Sequence, residues 1–217
     1  MGSLQNLPEY GMMRAEDSRP QGGRREQTVA QNTKNVIRKG FIELLEQRSL
    51  DKISVVDIAE HCGINRNTFY YYYCDIYALI RELMETVAAQ MIADGLSDRN
   101  WTEIARQVTA FMREHRRAVN HLFYSSQRDL LEDHIYEVTY AVTESLVRRT
   151  ADGLPVSEED LRTVTLYFTS ALLGMVSRWL RVGMKDDAEA TVERTGYLLE
   201  GTLRRMLERS CETGRGA

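Results

Sequence analysis

The residues with the clearest chemical potential lie in one stretch, Asn65-Arg66-Asn67-Thr68-Phe69-Tyr70-Tyr71-Tyr72-Tyr73. A guanidinium, carboxamides, hydroxyls and aromatic faces form a set suited to recognition of a duplex. Arg pairs with guanine O6 and N7 and Asn with adenine N6 and N7, while Thr or Tyr hydroxyls and helix N-terminal amides meet phosphate oxygens. Local propensity alone allows a strand here, because Tyr and Phe suit pleated surfaces. The flanks argue for a helix: Asn65 is a good N-cap, and Ile64 with Phe69 has the spacing of a hydrophobic staple. With about 100° between successive residues, Phe69 and Tyr73 share a face that can anchor in a core. Asn67 and Tyr71 then point away, flanked by Thr68 and Tyr72. Four consecutive tyrosines span the whole circumference, so they cannot all be core residues.

The elements that must position this segment are also helical. In Ile53-Ser54-Val55-Val56-Asp57-Ile58-Ala59, Ser54 and Asp57 have capping-box spacing and Ile53 with Ile58 repeats the staple, predicting a helix over about 55–61. Gly63 can take the left-handed conformation that ends it. Two short helices across a tight glycine turn make a helix-turn-helix, whose second helix is presented to the major groove. Upstream, Val36, Ile37, Gly40, Phe41, Leu44 and Leu45 recur at helical period and predict a helix ending near Arg48. Prolines stand only at positions 8, 20 and 155. Long helices are therefore expected downstream, about 75–93, 101–115, 117–124, 128–150, 157–182 and 187–210. Residues 1–27 are polar and aperiodic and read as a disordered arm ending in Arg24 and Arg25, either a minor-groove arm or a solvated tail. Residues 28–75 then form the helix-turn-helix domain, 76–212 a helical domain, and 213–217 a disordered tail.

Composition narrows the function. The formal net charge of the 217 residues is −4, so affinity for DNA must come from local placement of cations and not from a basic coat. Cys62, Cys74 and Cys211 form no CxxC pair, which suggests neither a disulfide framework nor a thiolate zinc site. Histidine spacing matches no metal pattern, and no cofactor is expected. No apolar stretch has the length of a signal peptide or membrane span, and a cytoplasmic protein is expected. Phosphate-cradling glycine loops, GxSxG and HExxH are absent, so no enzymatic activity is expected.

The segment SVVDIAEHCGINRNTFYYYY, followed by the Leu79-Ile80 pair, resembles the N-terminal domain of TetR-family transcriptional regulators. The forms NRNTFYYYYCDIYAL and LLGMVSRWLRVGMKDDAEA look most like the branch grouped with dihydroxyacetone-kinase regulators. The resemblance implies an all-α fold, with an N-terminal three-helix domain and a C-terminal helical domain for dimerisation and ligand sensing. It implies a recognition helix at about 65–71, with Asn65 at its start. Arg66, Asn67 and Thr68 would approach bases. Tyr70, Tyr71 and Tyr72 would meet phosphates or thymine methyls, with Thr33, Lys34, Ser54, Val55 and Val56 near the DNA backbone. Two positions depart from the family pattern: Tyr72, where His is frequent, and Ile76, where Lys commonly contacts phosphate.

The stretch 161–182 is apolar on most sides, as expected of a helix covered by its own domain and by a partner. With the last helix it resembles the pair that forms the family's four-helix dimer interface, implying contacts from Phe168, Ala171, Leu172, Gly174, Met175, Trp179, Leu199, Leu203 and Met206. A homodimer also makes physical sense, because two recognition helices on a palindromic operator multiply specificity. His115, Tyr124, His134, Tyr136 and Tyr140, with His121, fall where the family's ligand cavity lies and are candidates for a small-molecule effector site. The alternative is that they are core tyrosines and surface histidines. The implied function is a sequence-specific repressor tuned by an effector; the alternative is an adaptor or coactivator on the same fold that acts through a protein partner.

Overall fold

A computed structural model of the chain describes residues 21–93 and 101–213. The described elements are α1 (Gln21–Gln47), a single 3-10 turn (Leu50–Lys52), α2 (Val55–His61), α3 (Arg66–Tyr72), α4 (Ile76–Ala93), α5 (Trp101–Glu114), α6 (Arg116–Phe123), α7 (Arg128–Thr150), α8 (Glu158–Arg181), α9 (Ala188–Leu199) and α10 (Thr202–Thr213). No strand occurs among the described residues.

The first four helices pack around Ile37, Phe41, Leu44 and Leu45 of α1, Ile58 of α2, Phe69 and Tyr73 around α3, and Leu79 and Ile80 of α4. Ile37, Phe41, Ile58, Phe69 and Leu79 are fully buried, and each such side chain stabilises the fold by roughly 1.5–3 kcal/mol. The same cluster takes in Ala118 and Leu122 of α6 and Leu131 of α7. A second cluster joins Val147 of α7, Leu161 and Val164 of α8, and Leu203 and Leu207 of α10. A third gathers Trp179, Leu180 and Met184 against Met112, Val119 and Phe123.

Polar contacts reinforce the seam between α1 and α6. His121 Nδ1 lies 2.6 Å from the Leu45 carbonyl oxygen, and His115 Nδ1 3.2 Å from Glu46 Oε1. In the turn after α6, the Ser126 amide and hydroxyl donate to Asp51, at 3.0 and 2.7 Å to Oδ1. Hydrogen bonds from the Ser126 hydroxyl and amide hold the Asp51 carboxyl below its usual range.

Three boundaries differ from the sequence reading. Thr213, read as the start of a disordered tail, closes α10, and residues 214–217 lie outside the described residues. Helix α1 begins at Gln21, so residues 21–27, read as part of the arm, are helical; residues 1–20 lie outside the described residues. The stretch read as one helix over 187–210 is two, α9 and α10, parted at Gly201, whose φ of 68° lies in the left-handed region. An isolated glycine in an otherwise helical pattern gave too little signal to separate them.

Candidate nucleic-acid interface

The turn that presents α3 is built from backbone hydrogen bonds. At the end of α2 the Gly63 amide donates to Glu60 O at 3.1 Å and the Ile64 amide to Ala59 O at 2.9 Å, a Schellman motif closed by Gly63 at φ 63°. At the start of α2 the Ser54 hydroxyl accepts from the Asp57 amide at 3.2 Å, and the Asp57 carboxylate accepts from the Ser54 amide at 2.8 Å, completing the capping box. The Ser54 hydroxyl also donates to this carboxylate. Hydrogen bonds from the Ser54 hydroxyl and amide, helped by Arg48, lower the Asp57 carboxyl to about 2. Asn65 caps α3, its Oδ1 accepting from the Asn67 amide at 2.8 Å.

The faces of α3 sort as its period requires. Phe69 and Tyr73 are buried, with ring centres 5.5 Å apart. Tyr71 is 81% exposed and Tyr70 49%, and Asn65, Arg66 and Asn67 are exposed beside them. The Arg66 guanidinium lies 6.0 Å from the Tyr70 ring centre, a spacing that holds it along the outward face. Val56 and Ser54 of the α2 start are exposed as well, although the Ser54 hydroxyl is engaged in its cap.

Five expected contacts sit differently. Tyr72 is half-buried against the core and meets Tyr71 edge-on at 4.9 Å, because its side of the helix turns back toward the domain. Val55 is likewise packed on the core, and Thr33 and Thr68 are half-buried. Lys34 is ion-paired with Glu82 of α4 at 3.1 Å. Arg38 pairs with the same carboxylate. Sequence reasoning passed over both Arg38 and Glu82, because 44 and 48 positions separate the partners and no local pattern links them. Ile76, where the family commonly carries Lys, packs on the core.

Two family models match this chain: residues 37–83 match the bacterial regulatory proteins of the tetR family, and residues 99–201 the transcriptional regulator C-terminal region. The chain belongs to the TetR family. Similar solved structures include the dihydroxyacetone kinase operon activator DhaS, at 17% identity and TM-score 0.53, with 83% of this chain and 97% of that one covered. NalD of Pseudomonas aeruginosa, described as the secondary repressor of the MexAB-OprM multidrug efflux pump, aligns at 18% identity and TM-score 0.53 over 82% and 97%. A TetR transcriptional regulator of Streptococcus agalactiae aligns at 18% and 0.54 over 82% and 99%. These likenesses are likenesses of fold. No curated protein matches the sequence.

In this TetR chain the residues expected at a dimer contact divide into two groups. Ala171, Gly174 and Met175 of α8 are exposed, along with Leu166 and Tyr167 a turn or two earlier and Leu199 at the end of α9. Leu172 is half-buried; Phe168 and Met206 are half-buried against the second core cluster. Trp179 and Leu203 are internal, contrary to expectation: the Trp179 indole N–H donates to Asp186 O at 3.1 Å, and Leu203 is buried against α7 and α8. A helix apolar on most sides shows no period that tells its own core from a partner's.

The expected ligand residues are not gathered into one cavity. His115 sits in the α1 seam with its ring 4.6 Å from Phe111, and Tyr124 is exposed. His134 Nδ1 lies 3.4 Å from Glu137, while its buried Nε2 has no partner among the described residues. Tyr136 and Tyr140 meet at 6.1 Å between ring centres. A depression of about 590 Å³, open to solvent, is lined by Glu46, Glu114, Arg116, Arg117 and Asn120, and no expected ligand residue lies in its wall. Among the described residues no group of His, Cys, Asp and Glu could hold a metal ion, and no helix is long and apolar enough to cross a membrane.

Proposed function

We propose that this TetR regulator acts in the cytoplasm as a homodimeric repressor that reads a palindromic operator with α3. The observation that carries the reading is the outward face of α3: Arg66, Asn67, Tyr70 and Tyr71 are exposed, while Phe69 and Tyr73, with Tyr72 half-buried beside them, anchor the helix. Guanidinium, carboxamide and phenol groups gathered on one outward helix face match the base-edge and phosphate groups of a duplex. The exposed apolar strip of Leu166, Tyr167, Ala171 and Met175 on α8 supports pairing with a second copy.

Modulation by a small-molecule effector is part of the proposal. The α1–α6 seam, with His121 on Leu45 O and Ser126 on Asp51, supplies a mechanical link from the C-terminal helices to the helix-turn-helix. Selection of sequences from a random duplex pool by the purified protein tests the reading, followed by affinity for the winner as salt is raised. Enrichment of a palindrome with steep salt dependence supports an operator-reading dimer. No enrichment by a folded dimer favours the second reading, an adaptor acting through a protein partner, to which Ile76 on the core and Lys34 tied to Glu82 also point.

A further inference from the structure

Helix α1 carries two cations one turn apart, Lys34 and Arg38, and both converge on Glu82 in α4. Lys34 Nζ donates to the two carboxylate oxygens at 3.1 and 3.3 Å, and Arg38 Nη2 donates to one of them. The Lys34 ammonium also lies 5.6 Å from the ring centre of Tyr73, the residue that ends α3. The three charged side chains keep only 30%, 15% and 25% of their exposure for Lys34, Arg38 and Glu82. Burial alone would raise the Glu82 pKa, but contacts from Tyr73, Lys34 and Arg38 outweigh it and hold the carboxyl below its usual range. The Glu82 carboxylate is therefore ionised near neutral pH, and the knot ties α1 and α4 to the end of the recognition helix.

A cation that binds phosphate has to be free to reach it, and Lys34 is shared between a carboxylate and a ring. We propose that Glu82 is a specificity-determining positioning residue: through Lys34 and Tyr73 it fixes how α3 is presented, and Lys34 is a strut in that link and not a phosphate contact. The inference rests on the DNA-reading function proposed above. Base readout demands closely placed donors, whereas attraction to phosphate tolerates displacement, so loosening the knot weakens the operator more than random DNA.

The test compares Lys34→Gln and Glu82→Gln in the full chain, binding the enriched palindrome and a random duplex of equal length over a salt series. Each variant is expected to lose roughly tenfold on the palindrome, about the worth of one base contact, and less than about twofold on random duplex. The Lys34→Gln salt slope should match that of the unaltered protein. A phosphate contact would instead flatten the slope by about 0.9 and weaken both duplexes alike. That outcome, or unchanged affinity for both, overturns the inference. If Glu82→Gln does not fold, Lys34→Gln carries the test alone, because it leaves the Arg38–Glu82 pair in place. Failure of DNA reading looks different: the unaltered protein then enriches no sequence and binds neither duplex with salt dependence, and the inference falls with it.

Discussion

Gly40 stands in the middle of α1, where alanine would ordinarily stabilise a helix by roughly 1 kcal/mol. At this position the opposite is expected. A Cβ on residue 40 would lie 2.4 Å from Cys62 Sγ and 3.2 Å from His61 Cδ2, against about 3.5–4.0 Å for a comfortable contact. Either α2 moves outward by about 1 Å or the thiol turns away from Val36 O, to which it donates at 3.5 Å. His61 has little room to yield, since its Nε2 is held 2.7 Å from Glu43. Overpacking of this kind costs roughly 1–3 kcal/mol, so Gly40→Ala should lower stability by about 1 kcal/mol net of its helix preference. Urea unfolding followed by circular dichroism, at fixed protomer concentration, measures the change. The cause is tested by adding Cys62→Ala, which removes the sulfur and leaves the nearest remaining side-chain atom of that residue, Cβ, at 3.9 Å. The double variant should recover about 1 kcal/mol or more over Gly40→Ala. If Gly40→Ala is as stable as the unaltered protein, or the two changes add within about 0.5 kcal/mol, the packing argument is wrong.

Tyr71→Ala should leave stability within about 0.5 kcal/mol, since the side chain stands in solvent, yet weaken palindrome binding by about 1–3 kcal/mol in a fluorescence-anisotropy titration. Met175→Glu should shift the protein toward monomer in sedimentation while preserving helix content, because the side chain is exposed on α8; loss of folding instead would place it in the subunit's own core. Asp57 gives a pH dependence whose sign is fixed. Its folded pKa, about 2, lies below the ordinary carboxylate value, so its contribution is complete above about pH 4 and is lost as pH falls toward 2. Asp57→Asn should flatten acid destabilisation in that window, as read from urea midpoints at successive pH values.

The helix-turn-helix was legible because its signals are local. Ser54 and Asp57, Gly63, and Asn65 act within three or four positions, and the helical period places Phe69 and Tyr73 inward and Tyr71 outward without tertiary information. The ion pair of Lys34 was not legible because its partner, Glu82, lies 48 positions away, in another helix. Trp179 and Leu203 were assigned to a subunit contact because an apolar residue does not announce which apolar surface it meets. The five residues offered for an effector share a region of the chain but not a common cavity. Which face of α5, α6 or α7 turns inward depends on how those helices cross, and α5 buries none of its residues in this subunit.

Ala118, Leu122 and Leu131 close the core of the first four helices from outside them. The change in role near position 75 is therefore not a gap in the packing. A fragment cut after α4 would lose one wall of its interior, so it is not expected to fold on its own. The reading head and the helices behind it should melt in a single cooperative step, and amide exchange in α1 should report openings that begin in α6. Sequence drift that loosens α6 would then be felt in the helix-turn-helix even where none of its own residues has changed.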